Sequence, residues 1–263
     1  MNNINAIKFL SEGTSTISII KKRDFITDYN VSLEYSYNGT DWNAWDLSAL
    51  TINSGDILYI RGNNPSGLSH SNEDTENTEA YYAFIIEGDK VSCSGNIMSL
   101  IDYKNLPDVI PCSYCFYGLF ENCTSLITAP ELPAQTLADW CYAYMFEGCT
   151  SLKTAPELPA KTLTDWCYSY MFFGCSSLTT APELPAIELT DSCYYRMFSR
   201  CSSLTTAPEL PAKTLADWCY GWMFESCSSL KAAPELPATR LANFCYSNMF
   251  SGCTALKDEQ YFS

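Results

Sequence analysis

CYAYMFEGCTSLKTAPELPAKTLTDW, residues 141–166, is the unit around which the chain is organised. Cys115, Cys141, Cys167, Cys193, Cys219 and Cys245 form one column with a constant step of 26 residues. A second column, Cys123, Cys149, Cys175, Cys201, Cys227 and Cys253, keeps that step with no insertion or deletion. A fixed period of this size marks a stacked array, in which each unit is too small to bury its own apolar face and does so against its neighbours. Three residues after the second cysteine comes a leucine, from Leu126 to Leu256. An alanine column, the block Pro-Glu-Leu-Pro-Ala, a leucine column from Leu137 to Leu241 and, in most units, Trp follow. Apolar residues about three apart, with two prolines per unit, suit a coil with one brief strand rather than paired long helices, which proline would interrupt. The segment Trp140 to Gly148, WCYAYMFEG, reads as a short helix.

The order Cys-x-x-Leu, short strand, Leu-Pro, leucine and an aromatic pair before the next cysteine resembles the BspA-like leucine-rich repeats of gut and oral bacterial surface proteins and their phages. The resemblance spans roughly residues 93–263, with a longer unit than the family's and Met-Phe, as at Met145-Phe146, where Ala-Phe is usual. It implies a leucine-rich-repeat solenoid and, from relatives, a ligand on the strand-side surface.

Residues 1–92 carry no repeat and read as strands at Ala6–Leu10, Ser15–Lys21, Val31–Tyr37, Asp41–Trp45, Ile57–Arg61, Tyr81–Glu87 and Lys90–Ser94. Asn38-Gly39 predicts a two-residue primed turn between the third and fourth. Short strands at this density predict an antiparallel sandwich. The expected fold is therefore an N-terminal antiparallel β-sandwich over 1–92, then a leucine-rich-repeat solenoid of 26-residue coils, each a short strand plus a short helix, over 93–263. Within it, 93–114 form a degenerate cap coil, 115–244 five full repeats and 245–263 a partial last repeat. The cap is read by register, since Asn96, Ser99, Leu100, Leu106 and Pro107 lie 26 residues before Asn122, Ser125, Leu126, Leu132 and Pro133. No Gly/Ser or Pro-rich linker separates the parts, so a rigid junction is expected. At the other end KDEQYFS, residues 257–263, is too short for a full cap, which leaves the last coil as a contact for a partner or covered by that tail.

Hydrophobic residues at 47% and aromatics at 14% supply ample core, which argues against disorder. A net charge of −15, split about −7 before residue 93 and −8 after it, disfavours nucleic acid and anionic membranes as partners. No stretch of eighteen apolar residues is present to span a bilayer. The start, MNNINAIKFLSEG, lacks a basic stretch followed by an apolar core. Two placements follow: the cell surface, with a signal removed, or a phage virion, which leaves its host by lysis.

Fourteen cysteines admit disulfides, metal or buried thiols. In a helix the two cysteines of one unit stand about 12 Å apart, beyond the bridging range of about 7 Å between Cα atoms. Cross-coil pairs at about 5 Å are geometrically open, yet every coil uses cysteine alike, so reduced, buried thiols are the preferred reading. Cys112-x-x-Cys115 is a lone pair with no matching second pair, and His70 is the only histidine, so neither metal binding nor redox chemistry is expected there. One histidine also leaves no Ser-His-Asp or Cys-His arrangement, and no Gly-rich phosphate loop is present, so no enzyme and no cofactor are predicted. Glu73, Asp74 and Glu76 in the loop Asn63–Thr78 are weighed as calcium ligands against a solvated charge run, the preferred reading.

The remaining candidates are surface columns. Glu131, Glu157, Glu183, Glu209 and Glu235 recur once per unit. Like charges about 5 Å apart repel by roughly 0.8 kcal/mol in water, so these must be exposed, paired with donors such as backbone N–H groups, or bridged by cations. The residue after the column leucine varies, as Ile127, Lys153, Thr179, Thr205, Lys231 and Lys257. A second variable set holds Tyr117, Tyr144, Tyr170, Tyr195, Arg196 and Trp222, residue types that anchor interfaces. The sequence does not choose between these faces. Two functions are expected: a non-catalytic recognition or adhesion module for a protein or glycan, or a structural or decoration component of a virion contacting other virion subunits.

Overall fold

The computed structural model describes residues 4–22, 30–72 and 77–256. The described residues are β-rich with almost no helix. In order come β1 (Ile7–Ser11), β2 (Ser15–Lys22), β3 (Leu33–Ser36), β4 (Asn43–Ala44), β5 (Leu50–Ile52), β6 (Ile57–Gly62), β7 (Ser69–Asn72), β8 (Asn77–Gly88), β9 (Val91–Ser94), a 3-10 helix (Ile97–Leu100) and β10 (Leu126–Thr128). They form one sheet in the order β10-β9-β1-β6-β3-β4 and another in the order β5-β2-β8-β7. All pairings are antiparallel except β9 with β10. Period-two alternation sets the inner faces: Ile7, Phe9, Ile17 and Ile19 are buried. The sheets meet where Phe9 and Phe84 bring ring centroids to 5.3 Å.

Each strand expected in the first 92 residues has a counterpart. β5 and β7 are additional; β5 spans three residues and β7 reads SHSN, neither with a usable apolar alternation. The turn at Asn38-Gly39 is not a two-residue turn, because β3 and β4 pair only from Tyr35 with Asn43. Asn38 Oδ1 accepts from the backbone N–H of Thr40 and of Asp41, each at 2.9 Å, which organises a wider loop. Only Gly39 of the two takes a positive φ.

The short helix expected at 140–148 does not form. The N–H groups of Ala143, Met145, Glu147 and Cys149 bond back three residues, while those of Tyr142, Tyr144, Phe146 and Gly148 donate to Cys167, Ser169, Met171 and Phe173 of the next unit, all at 2.8–3.2 Å. Every fourth residue is left-handed: Trp140, Tyr144 and Gly148 have φ of 58°, 58° and 69°. The pattern recurs at Trp166, Tyr170 and Gly174, at Ser192, Arg196 and Arg200, and at Trp218, Trp222 and Ser226. An α-helix would turn its N–H groups beyond the first turn back on itself and offer few of them to the next unit. The alternating ribbon commits half its donors to the neighbour. Its cost is a left-handed backbone at bulky residues, about 1–2 kcal/mol each, offset by the inter-unit hydrogen bonds and ring stacking that the same geometry creates.

The expected strand is likewise reduced. Beyond β10 it persists as single-residue parallel bridges, Thr128 to Thr154 to Thr180 to Thr206. Two buried aromatic columns run through the units. Phe84, Phe120, Phe146, Phe172, Phe198, Phe224 and Phe250 stack at 4.9–5.8 Å within 13° of parallel. Phe116, Tyr142, Tyr168, Tyr194, Tyr220 and Tyr246 stack at 5.7–5.9 Å within 10°. All fourteen cysteines are free thiols, and every one except Cys112 is buried. The second cysteine column ties each unit to the one before it. Cys149, Cys175, Cys201 and Cys227 donate from Sγ to the carbonyls of Phe120, Phe146, Phe172 and Phe198, respectively, at 3.0–3.1 Å.

The two parts share one apolar core. Phe84 of β8 supplies the rung before Phe120: its N–H donates to the Leu119 carbonyl at 2.8 Å, and its carbonyl accepts the Cys123 thiol at 3.2 Å. Thr128 Oγ1 donates to the Cys93 carbonyl at 2.9 Å and Ser125 Oγ to that of Gly88 at 3.1 Å. Strand and repeat thus use the same hydrogen-bonding plan at the junction.

Candidate functional site: an outer aromatic ridge

Many left-handed positions carry large rings, partly exposed except for the buried Tyr114, and consecutive units bring these rings together. Tyr114, Trp140 and Trp166 stack at 5.6 and 4.5 Å within 9°. Beside them Tyr117, Tyr144 and Tyr170 follow at 5.2 and 4.5 Å. Ser192 then stands where neighbouring units have Trp. Tyr195, in a column otherwise filled by Tyr117, Ala143, Ser169, Gly221 and Ser247, turns edge-on and contacts Trp166, Tyr170, Trp218 and Trp222 at 5.5–6.2 Å. Beyond it Trp218 stacks on Trp222 at 5.5 Å and on Phe244 at 4.1 Å, and Phe244 is 58% exposed.

Arg196 sits in the middle of this ridge. Its guanidinium carbon lies 5.1 Å from the Trp222 ring centre, 5.8 Å from Tyr195 and 5.9 Å from Tyr170, a cation–π arrangement. Nη1 pairs with Glu225 Oε2 at 2.8 Å, and Ser199 Oγ joins the same oxygen at 3.0 Å. The charge is therefore held in place by a carboxylate behind it and rings around it. Burial, then the neighbouring Tyr195, pushes the Tyr170 hydroxyl up to about 12, and burial, then Tyr117, raises that of Tyr144. These hydroxyls stay neutral hydrogen-bonding groups at physiological pH.

At its other end the ridge reaches the strands. Tyr117 meets Tyr81 edge-on at 5.1 Å. Tyr81 donates its hydroxyl to Glu121 at 2.8 Å, and Lys22 pairs with Glu121 at 3.0 Å. One unit on, Glu147 is partly buried, and desolvation together with the Glu121 charge raises its carboxyl to about 7.

Of the residues singled out from sequence, Tyr117, Tyr144, Tyr170, Tyr195, Arg196 and Trp222 belong to this ridge, half-buried by one another rather than fully exposed. Tyr114, Trp140, Trp166, Trp218 and Phe244 are ridge members that sequence reasoning misses, since there the column ahead of cysteine stands only as a recurring part of the unit. The available signal is the constant spacing of four between Trp140 and Tyr144, which a helix also permits and a left-handed repeat requires. Lys153 and Lys231 are exposed, away from the rings in their contacts. Glu131, Glu157, Glu183, Glu209 and Glu235 are also exposed, and Glu183 and Glu209 line a shallow cleft with Pro182, Pro185, Pro208 and Pro211.

The backbone-accepting role considered for the glutamates belongs to an aspartate column instead. The N–H groups of Asp165, Asp191, Asp217 and Asn243 donate to Oδ1 of Asp139, Asp165, Asp191 and Asp217 at 2.8–3.1 Å. Desolvation and then Asp139 raise the Asp165 carboxyl above its usual range. Among the described residues no three His, Cys, Asp or Glu side chains converge as a metal site, and no helix is long and apolar enough to cross a membrane. Glu73, Asp74 and Glu76, weighed for calcium, lie outside the described residues, as does the tail 257–263. No protein-family model, no curated protein and no solved structure matches this chain.

Proposed function

We propose that this chain is a non-catalytic recognition module, its repeats a leucine-rich-repeat solenoid of BspA-like type that presents the aromatic ridge to a protein or glycan partner outside the cell. The observation that carries the reading is the ridge itself: Tyr, Trp and Arg from consecutive units, partly exposed and locked by stacking and by the Arg196–Glu225 pair. These residue types dominate interface energetics: Tyr and Trp bury much area at little rotamer cost, and Arg adds a charge whose rotamer the Glu225 pair already fixes. Stacking also occupies the ring faces along the array, which leaves ring edges, hydroxyls and the Arg196 charge for a partner.

The test is a labelled full-length chain on panels of immobilised proteins and glycans, run beside Trp222→Ala, Arg196→Ala and the paired Lys153→Ala/Lys231→Ala. The reading expects binders that lose at least tenfold affinity for the ridge variants, on the order of 1.4 kcal/mol or more, and retain it for the lysine pair. Binding that survives the ridge variants, or is lost in the lysine pair alone, contradicts it.

A further inference from the structure

Thirteen of the fourteen thiols are buried, and Cys112 is the exception. Its column holds Ala138, Thr164, Thr190, Ala216 and Ala242 in the later units, so this thiol is an addition to the repeat rather than part of it. The chain between Cys112 and Cys115 turns through Tyr114, at φ 60°. Both sulfurs then lie against Gly67: a Cβ there would stand 2.6 Å from Cys112 Sγ and 3.3 Å from Cys115 Sγ. The same loop is tied to the pair on both sides, since Cys112 Sγ donates to the Ser66 carbonyl at 3.1 Å and the Leu68 N–H donates to the Cys115 carbonyl at 2.9 Å. Glycine is required at residue 67, with φ +85°, for the loop to pass this close. Cys112 is half-exposed and Cys115 fully enclosed.

We propose that Cys112 and Cys115 form a redox-active dithiol that closes to a disulfide by exchange with a small-molecule disulfide. The pairing of an accessible thiol with an enclosed one three residues on divides the labour. Cys112, after giving its proton to solvent, attacks one sulfur of the small disulfide and releases one thiolate. That thiolate takes the proton of Cys115, whose sulfur then displaces the second small thiolate from Cys112, and this thiolate takes from solvent the proton that Cys112 gave up. Two protein thiols are oxidised and one small disulfide is reduced to two thiols. The hydrogen bond from Cys115 holds the Cys112 thiol below its ordinary range, and burial pushes the Cys115 thiol well above it, which fits attack by the first and resolution by the second. The sequence alone treats Cys115 as a column residue and the pair as structural; the half-exposed neighbour at Gly67 is what the structure adds.

The fully reduced chain, equilibrated in glutathione buffers of graded reduced-to-oxidised ratio and trapped natively with N-ethylmaleimide, tests this by fragmentation mass spectrometry. The expected result is a Cys112–Cys115 link, lighter by two hydrogens, whose population follows the ratio and reverses with dithiothreitol. Cys112→Ala, with an unchanged circular dichroism spectrum, loses the link and leaves Cys115 unmodified until denaturation. A lasting glutathione adduct on Cys112, a link from Cys115 to Cys141, or thiols reduced at every ratio each overturns the proposal.

Discussion

Tyr195 occupies the rung that Ser192 leaves empty. The two residues lie three apart, and where three other units pair Trp140, Trp166 and Trp218 with the small residues Ala143, Ser169 and Gly221, this one pairs Ser with Tyr. The ridge crosses the gap because Tyr195 presents its edge to Trp166 and Trp218, at 5.6 and 6.2 Å. Edge-to-face pairs contribute about 0.5–1.5 kcal/mol beyond burial, so Tyr195→Ala should cost about 2 kcal/mol. Ser192 already has the left-handed backbone of its Trp counterparts, with φ of 54° against 58–59°. The swap Ser192→Trp with Tyr195→Ser should therefore recover most of the loss. Urea unfolding of both singles and the double measures a coupling of about 1 kcal/mol or more; strictly additive effects would refute the exchange of rungs.

Left-handed positions give a cleaner test of the ribbon. Gly174 has φ 73° and open space around it, its nearest neighbours being Gly148 backbone atoms at 3.9 Å. Gly174→Ala isolates the backbone penalty and should cost about 1 kcal/mol. Ser226, exposed with φ 60° in the same column, should gain a comparable amount on change to Gly. Thermal melts of the two variants moving in opposite directions is the expected outcome.

Glu147 makes stability depend on pH. The folded protein holds its proton up to about 7, against an ordinary value of 4.5, because the carboxylate is desolvated and faces Glu121. Between these values the folded state binds more protons than the unfolded one, so this group's contribution falls as pH rises through the window. Glu147→Gln should raise the unfolding free energy at pH 8 by about 1 kcal/mol after allowance for partial exposure, and the melting point with it. The advantage should vanish below pH 4.5. An equal gain at pH 4 and pH 8 would assign it to packing instead.

Phe84 tests the junction. It is fully buried between Phe9, Trp45 and Phe120, and its backbone closes the first inter-unit bonds. Phe84→Ala should cost about 3–5 kcal/mol and weaken strands and repeats together in one transition. Loss of near-ultraviolet ellipticity in two separate steps, with the repeats unaffected, would show that the parts are independent.

Much of the fold is legible in the residues. The Cys column, recurring Leu and Phe and the alternation in β1 and β2 mark which side chains go inward, because packing constrains them in every unit. The conformation of 140–148 is not legible, since apolar spacing near four suits both a helix turn and a left-handed ribbon. What separates them is where alternate N–H groups go, and that partner lies 25 residues away, as in Tyr142 to Cys167. The ridge is half visible for the same reason: Tyr144 and Trp222 vary from unit to unit and read as surface, while the recurring Trp140 and Trp218 join them only because the backbone turns both columns to one side. The Asp column, Asp139 to Asp217, draws less notice in the sequence than the Glu column because its carboxylates accept from amides one unit away.

Alternate backbone amides join each unit to the next, and through-hydrogen-bond couplings in the labelled protein read those bonds one by one. The expected couplings run from the amide nitrogen of Tyr168 to the carbonyl carbon of Cys193 and from Tyr194 to Cys219, with Met171 coupled to Tyr168 within its unit. Couplings running instead from each amide to the carbonyl four residues earlier would place a helix there and contradict it.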